Sequence, residues 1–223
     1  MAEFKVPLID LKERYQEEKD ELLSCVERVL ESGNLVLTPE LADFEERVAQ
    51  YTKSKHCIGL NSGTDALMMG LHAMGIGKGD EVITSPISFI ATTAAIAHVG
   101  ATPVYVDVGK DQNIDPLKIN EKITSRTKAI MPVHWTGRIS DMHEINKIAK
   151  QNNLMVIEDS CQCMGAYYYG QHAGTFGKVG TFSGHPLKAM NAVGDAGFLI
   201  TNDKEIADKV RVYRNHGLID RDT

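Results

Sequence analysis

The sequence predicts an α/β fold in which a mostly parallel central sheet is covered by helices on both faces. Three observations carry that prediction. Beyond residue 56, short apolar runs alternate with longer segments of helical periodicity. The runs are too uniformly apolar to leave one face in water, which is how strands read when helices cover both sides. Glycine and proline punctuate the alternation at Gly75 to Gly79, Pro86, Gly100 to Pro103 and Gly137, where the chain has to turn.

Taken in order, Leu11, Tyr15, Leu22, Leu23, Val26, Val29 and Leu30 recur at helical spacing among Glu, Lys and Arg, so Asp10 to Glu31 reads as an amphipathic helix stopped by Gly33. Pro39 stands just inside a second helical stretch that runs to about Tyr51, the place where a proline is tolerated because its missing N–H has no partner anyway. The strand candidates follow: Cys57 to Leu60, Glu81 to Thr84, Pro103 to Val108, Ala129 to Val133, Leu154 to Ile157 and Phe198 to Thr201. No repeat, linker or low-complexity segment interrupts them, and no internal domain boundary is expected.

Composition narrows the function. With 223 residues, 43% of them hydrophobic, the chain can bury one large core, or one core and a small appendage. Its 24 Lys and Arg against 30 Asp and Glu give a net charge of −6, which argues against a nucleic-acid partner held by clustered positive charge. The four cysteines (Cys25, Cys57, Cys161, Cys163) have neither zinc nor redox spacing and read as reduced, mostly buried thiols. The first residues carry Glu3, Lys5 and Asp10 without an apolar run, and no stretch is long enough to span a bilayer. A soluble, cytoplasmic protein without a membrane partner is expected.

In open sheets of this kind ligands sit beyond the carboxyl ends of the strands, and four strand ends are informative. Asn61-Ser62-Gly63-Thr64-Asp65 is a small turn entering a helix; it offers free N–H groups and a positive dipole end to a phosphate, or is simply a well-capped helix. Phe89, just past the run Val82 to Thr84, could stack on a planar ring, although by residue type alone a core position is favoured. Asp159 ends the run Leu154 to Ile157; a carboxylate there needs a cation, such as a protonated ring nitrogen, unless it is a helix cap or a metal ligand. No companion ligand stands at a recognisable spacing and the eight histidines are scattered, so no metal is expected. The fourth segment, Thr181 to Met190, holds Lys188 as the only formally charged side chain between Lys178 and Asp195. Small and apolar neighbours would strip water from it, and a desolvated lysine amine is the form that serves as a Schiff-base nucleophile.

The order and wording of these segments resemble the DegT/DnrJ/EryC1/StrS family of sugar aminotransferases, which have the aspartate aminotransferase type of fold (fold type I). The resemblance runs through nearly the whole chain and is most specific at Ser62-Gly63-Thr64-Asp65-Ala66-Leu67, Gly79-Asp80-Glu81-Val82-Ile83, Gly100-Ala101-Thr102-Pro103-Val104, Val156-Ile157-Glu158-Asp159, and Ser183 with His185-Pro186-Leu187-Lys188. It implies that Lys188 holds pyridoxal 5'-phosphate (PLP) as a Schiff base and then moves the substrate proton. Asp159 would pair with the pyridinium nitrogen, so that the ring stays an electron sink. Gln162 would contact the ring hydroxyl side, Phe89 would cover one ring face, and Gly63, Thr64, Asp65 and Ser183 would hold the phosphate. His185, in the lysine's own motif, is assigned to the substrate. The implied reaction is ping-pong transfer of an amino group, with glutamate as donor, to the keto group of a nucleotide-linked sugar, in a homodimer whose active sites borrow residues from the partner.

Relatives that dehydrate a sugar carry histidine where this chain has Lys188, which favours transamination over dehydration. A catalytically silent fragment with a regulatory or binding role is the rival of another class, and the retention of Lys188 with Asp159 argues against it. A Rossmann dinucleotide enzyme is disfavoured because no Gly-x-Gly-x-x-Gly turn follows the first strand. Met164 stands where many members have a histidine, and Gly184 where an aromatic often follows the phosphate-binding serine; both would reshape the substrate pocket. Family members continue past the equivalent of Arg214-Asn215-His216-Gly217 into a small domain. Residues 1–223 are therefore expected to be the PLP-binding large domain with its N-terminal helical segment, the small carboxyl-terminal domain being absent or truncated.

Overall fold

The structure, a computed structural model, describes Val6 and residues 9–219. The chain divides into two compact units, one up to Phe44 and one from Glu45 onward. The division falls inside a helix, which is why the sequence shows no linker there.

In the first unit, α1 (Leu11–Ser32) starts where the Asp10 carboxylate accepts from the N–H groups of Lys12 (3.1 Å) and Glu13 (3.0 Å), and stops at Gly33, whose φ of 69° only glycine adopts without cost. Its apolar stripe is present as expected, but none of its residues is buried, and Leu23, Val26 and Leu30 are exposed. The second helix, α2 (Pro39–Thr52), begins on its proline and carries the chain into the second unit.

The second unit is a seven-stranded sheet with helices between the strands. Its elements are β1 (His56–Leu60), α3 (Gly63–Ala73), β2 (Glu81–Thr84), α4 (Ile90–His98), β3 (Thr102–Tyr105), α5 (Pro116–Ile119), β4 (Thr127–Met131), α6 (Met142–Gln151), β5 (Met155–Asp159), the hairpin β6 (Tyr167–Tyr168) and β7 (Gln171–His172), β8 (Val179–Ser183), β9 (Gly197–Thr201) and α7 (Lys204–Arg214). The strand order is β1-β9-β8-β5-β4-β2-β3. Pairings from β8 through β5, β4 and β2 to β3 are parallel, and β9 runs antiparallel to both β8 and β1.

Consecutive strand residues point to opposite faces, and both faces are covered. Val82, Met131, Ile157 and Leu199 pack with Leu67 and Leu71 of α3, Ile96 of α4 and Val210 of α7. Ile83, Ile130 and Val156, one residue out of step, pack with Ile119 of α5 and Met142, Ile145 and Ile148 of α6. Each fully buried aliphatic side chain contributes about 1.5–3 kcal/mol to holding the layers together.

The structure corrects the sequence reading in places. The third and fourth strands begin earlier than expected, at Thr102 and Thr127, and end earlier, at Tyr105 and Met131. β8 and the β6–β7 hairpin were not among the apolar runs. Cys57 and Cys163 are buried, but Cys161 is only partly so and Cys25 is exposed; all four are free thiols.

Candidate active site

β5 ends in Glu158-Asp159, and the pleat sends the two carboxylates to opposite faces. Asp159 is 6% exposed and lines a cavity of about 450 Å³, a size suited to a small-molecule ligand. Its Oδ2 accepts from the Thr92 hydroxyl of α4 (2.6 Å) and its Oδ1 from the Cys161 N–H (3.2 Å). Thr92 is in turn hydrogen-bonded to Ser88. Two donors leave acceptor capacity on the carboxylate, and among the described residues no cation makes an ion pair with it. A buried carboxylate in that condition is suited to a cationic or proton-donating group entering the cavity.

The start of α3 forms another part of the wall. Ser62 caps it, its hydroxyl accepting from the Asp65 N–H (3.1 Å), and the Ala66 N–H closes the first helical turn on the Ser62 carbonyl. The N–H groups of Gly63 and Thr64, at the positive end of the helix, have no preceding turn to bond, and both residues line the cavity. A Cβ on Gly63 would come within 2.8 Å of Cys161 Sγ and 2.9 Å of Ser183 Cβ, so glycine lets the helix start sit directly against the end of β8. Ser183 also faces the cavity; its Oγ accepts from the His185 N–H (3.3 Å), which leaves the hydroxyl proton to donate. Asp65 stands one residue deeper in α3 and is not among the lining residues.

Lys188 lies on the loop that leaves β8 at Ser183 and returns at Gly197, a pair in register across the β8–β9 ladder. The loop is closed by the Gly184 N–H donating to the Ala196 carbonyl (2.7 Å) and the Ala192 N–H to the Gly184 carbonyl (2.7 Å). A Cβ on Gly184 would come within 2.9 Å of Ala196 Cβ, which is the physical reason an aromatic is not accommodated there. Lys188 lines the cavity but is half-buried, less enclosed than its apolar sequence setting suggested. His185 is exposed at the same rim. The Gln162 side-chain oxygen accepts from the Thr136 N–H (2.8 Å), leaving its NH₂ to donate into the cavity it lines. Phe89 is no core residue: it is 65% exposed at the start of α4, against the same space.

The sequence reading missed several groups. Thr92, which holds Asp159, lies 67 residues from it, and no local pattern reports such a pairing. Cys161 lines the cavity with its thiol pKa pushed well above the ordinary value, by burial first and by the Asp159 charge second; it is a poor nucleophile there. Asp195 is a further carboxylate on the wall. Glu158, on the far side of the strand, is fully buried and bonded to the ring of His134, a residue that also borders the cavity. Among the described residues no cluster of three His, Cys, Asp or Glu could hold a metal ion, and no helix is long and apolar enough to cross a membrane.

Comparison with known proteins places this arrangement. The family model for the DegT/DnrJ/EryC1/StrS aminotransferase family matches residues 16–223. A pleiotropic regulatory protein of Geobacillus stearothermophilus is 44% identical over 95% of this chain and 57% of its own length. The dTDP-3-amino-3,6-dideoxy-alpha-D-galactopyranose transaminase of Aneurinibacillus thermoaerophilus is 47% identical over 95% of this chain and 59% of its own. The crystal structure of NtdA from Bacillus subtilis with bound cofactor PMP superposes with a TM-score of 0.91 at 37% identity, covering all of this chain and 51% of that one. The chain thus spans under three fifths of the length of the relatives it matches. With the expected site residues other than Asp65 lining one cavity and the family model matching residues 16–223, the chain belongs to the DegT/DnrJ/EryC1/StrS aminotransferase family.

Proposed function

We propose that the chain is the cofactor-binding part of a PLP-dependent aminotransferase that moves an amino group, with glutamate as donor, to the keto group of a nucleotide-linked sugar, working as a homodimer in the cytoplasm. One observation carries the reading. A single cavity joins the open N–H groups of a helix start, a buried carboxylate without a cation, and a lysine. These residues fit pyridoxal phosphate, whose ends are an anion and a basic ring nitrogen and whose aldehyde reacts with amines. The similarity to a dTDP-sugar transaminase and to a PMP-bound structure supports the same choice.

When bound, the cofactor supplies an electron sink for the carbon that carries the transferred amine. The chain's own residues do the rest. Gly63 and Thr64 donate their N–H groups to the phosphate, and Ser183 donates its hydroxyl. Asp159, kept in place by Thr92, pairs with the ring nitrogen and keeps it protonated. Gln162 donates its amide to the ring hydroxyl side, and Phe89 covers one face and excludes water. The Asp65 side chain, outside the lining, is left to the helix end, where a carboxylate complements the dipole. Lys188 anchors the cofactor and, once released, carries the proton to and from the substrate carbon at its Nζ. His185, at the rim, meets the sugar nucleotide.

The test is conversion of a dTDP-linked keto sugar to the amino sugar with glutamate, followed by mass spectrometry. Lys188→Ala is expected to lower turnover by about 10²–10⁴-fold or more, the range for loss of a positioned acid–base. Undiminished turnover in that variant would overturn the assignment.

A further inference from the structure

We propose that the buried His134–Glu158 pair is a positioning device for Asp159, one that sets how strongly the cavity prefers a ring nitrogen to a ring carbon. The inference rests on the reading above that Asp159 faces a pyridine nitrogen.

Glu158 and His134 are both fully buried. Glu158 Oε1 accepts from the main-chain N–H groups of Phe176 (2.7 Å) and Gly177 (2.6 Å), and Oε2 from that of Gly174 (2.8 Å). Three rigid main-chain donors make this carboxylate the fixed end of the pair. His134 Nε2 lies 3.0 Å from Oε2. On the other side of the ring the Ser140 N–H donates to Nδ1 (3.3 Å), while the Ser140 hydroxyl donates to the Val133 carbonyl (3.1 Å). Nδ1 is therefore an acceptor, the ring proton sits on Nε2, and Nε2–H donates to Glu158. Both ring nitrogens are engaged, so His134 has no free ring nitrogen with which to act as acid or base.

The consequence lies in the main chain. The His134 N–H donates to the Asp159 carbonyl (3.1 Å), and the Asp159 N–H donates to the Pro132 carbonyl (3.0 Å). Residues 132–134 thus hold Asp159 by its backbone on both sides, and are themselves pinned to the sheet by the His134 ring on Glu158. Undocking that ring frees the segment that holds the Asp159 main chain, and so shifts the base from which the carboxylate, aimed by Thr92 and the Cys161 N–H, reaches into the cavity. A hydrogen bond to a ring nitrogen weakens steeply with misalignment, whereas contacts made by the rest of the ring and by the phosphate do not depend on it. A merely structural role for the pair would weaken every ligand alike.

The experiment measures, on the full chain, dissociation constants for pyridoxal phosphate and for its carbocyclic analogue, in which C–H replaces the ring nitrogen, with thermal melting of each variant alongside. The cofactor reading requires the unaltered chain to prefer pyridoxal phosphate and Asp159→Asn to lose that preference. His134→Phe is expected to shrink the preference by about tenfold, the scale of one charge-assisted hydrogen bond, mainly through weaker binding of pyridoxal phosphate. His134→Gln, whose amide nitrogen can take the place of Nε2, is expected to retain most of it. If His134→Phe does not melt cooperatively, His134→Asn, too short to reach Glu158, takes its place. Equal weakening of both ligands, or of neither, overturns the inference while leaving the cofactor reading intact. Absence of any preference in the unaltered chain overturns both.

Discussion

Two adjacent carboxylates at the end of β5 serve different ends because a strand alternates its faces. Glu158 is consumed by four donors and belongs to the architecture, while Asp159 keeps acceptor capacity on the cavity side. A third residue, His172, shows how burial makes a titration a stability matter. It is 2% exposed; its Nδ1 donates to the Ala173 carbonyl (2.6 Å) and its Nε2 accepts from the Gly165 N–H (3.0 Å), which fixes the neutral ring. Burial holds its pKa below the ordinary 6.5, and His56 shifts the same way, by burial first and the Arg211 charge second. The unfolded chain therefore takes up these protons at higher pH than the folded one. Stability is full above about pH 6.5 and falls as pH drops toward the folded values. The lowered carboxylates Glu81, Asp107 and Asp208 act in a lower window, beneath their ordinary 4.5 and 3.8. The melting temperature is expected to decline between pH 6.5 and 5, and less so in His172→Gln. Parallel declines in the two proteins would rule out this origin.

Among the elements, α3 shows why a small residue is placed where a helix meets a sheet. The added Cβ at Gly63 would strike Cys161 and Ser183, and one at Gly197 would lie 2.2 Å from the Ser62 carbonyl carbon. The helix start thus approaches β8 and β9 backbone to backbone. Gly63→Ala is expected to cost about 1–3 kcal/mol in urea unfolding, as overpacking does. It should also weaken pyridoxal phosphate more than pyridoxal if the displaced N–H groups hold the phosphate as proposed. Unchanged stability with unchanged ligand discrimination would contradict the placement. The same packing explains an element the apolar pattern hid. β8 is interrupted by Gly180 and Thr181, and a Cβ on Gly180 would sit 2.2 Å from the Gly174 carbonyl oxygen. Close approach of the loop to the strand, not hydrophobicity, set that residue. The β6–β7 hairpin has two residues per strand, too short to carry a period.

At the scale of the molecule, the parallel core, the helices on both faces and the strand ends that meet at the cavity are legible in the sequence, because strands buried on both sides leave uninterrupted apolar runs and ligand sites follow their carboxyl ends. Lys188, Asp159, Gly63, Thr64, Ser183, Gln162, Phe89 and His185, separated by up to 125 residues of chain from Gly63 to Lys188, line one cavity. What the sequence did not disclose is the support beneath them. Thr92 under Asp159 and His134 on Glu158 are hydrogen bonds between distant residues, and such pairings leave no local pattern. Exposure was misjudged where it depends on neighbours from other elements, as at Phe89, which residue type places in the core, and at Lys188, which its neighbours in sequence enclose more than its neighbours in space.

The proposed role of Lys188 is to hold pyridoxal phosphate in this cavity. The direct measurement is to incubate the purified chain with pyridoxal phosphate, reduce it with borohydride and map the modified peptide by mass spectrometry. A visible absorbance band that borohydride abolishes is expected, with the reduced label on Lys188. An unlabelled Lys188, or label spread over surface lysines, would contradict it.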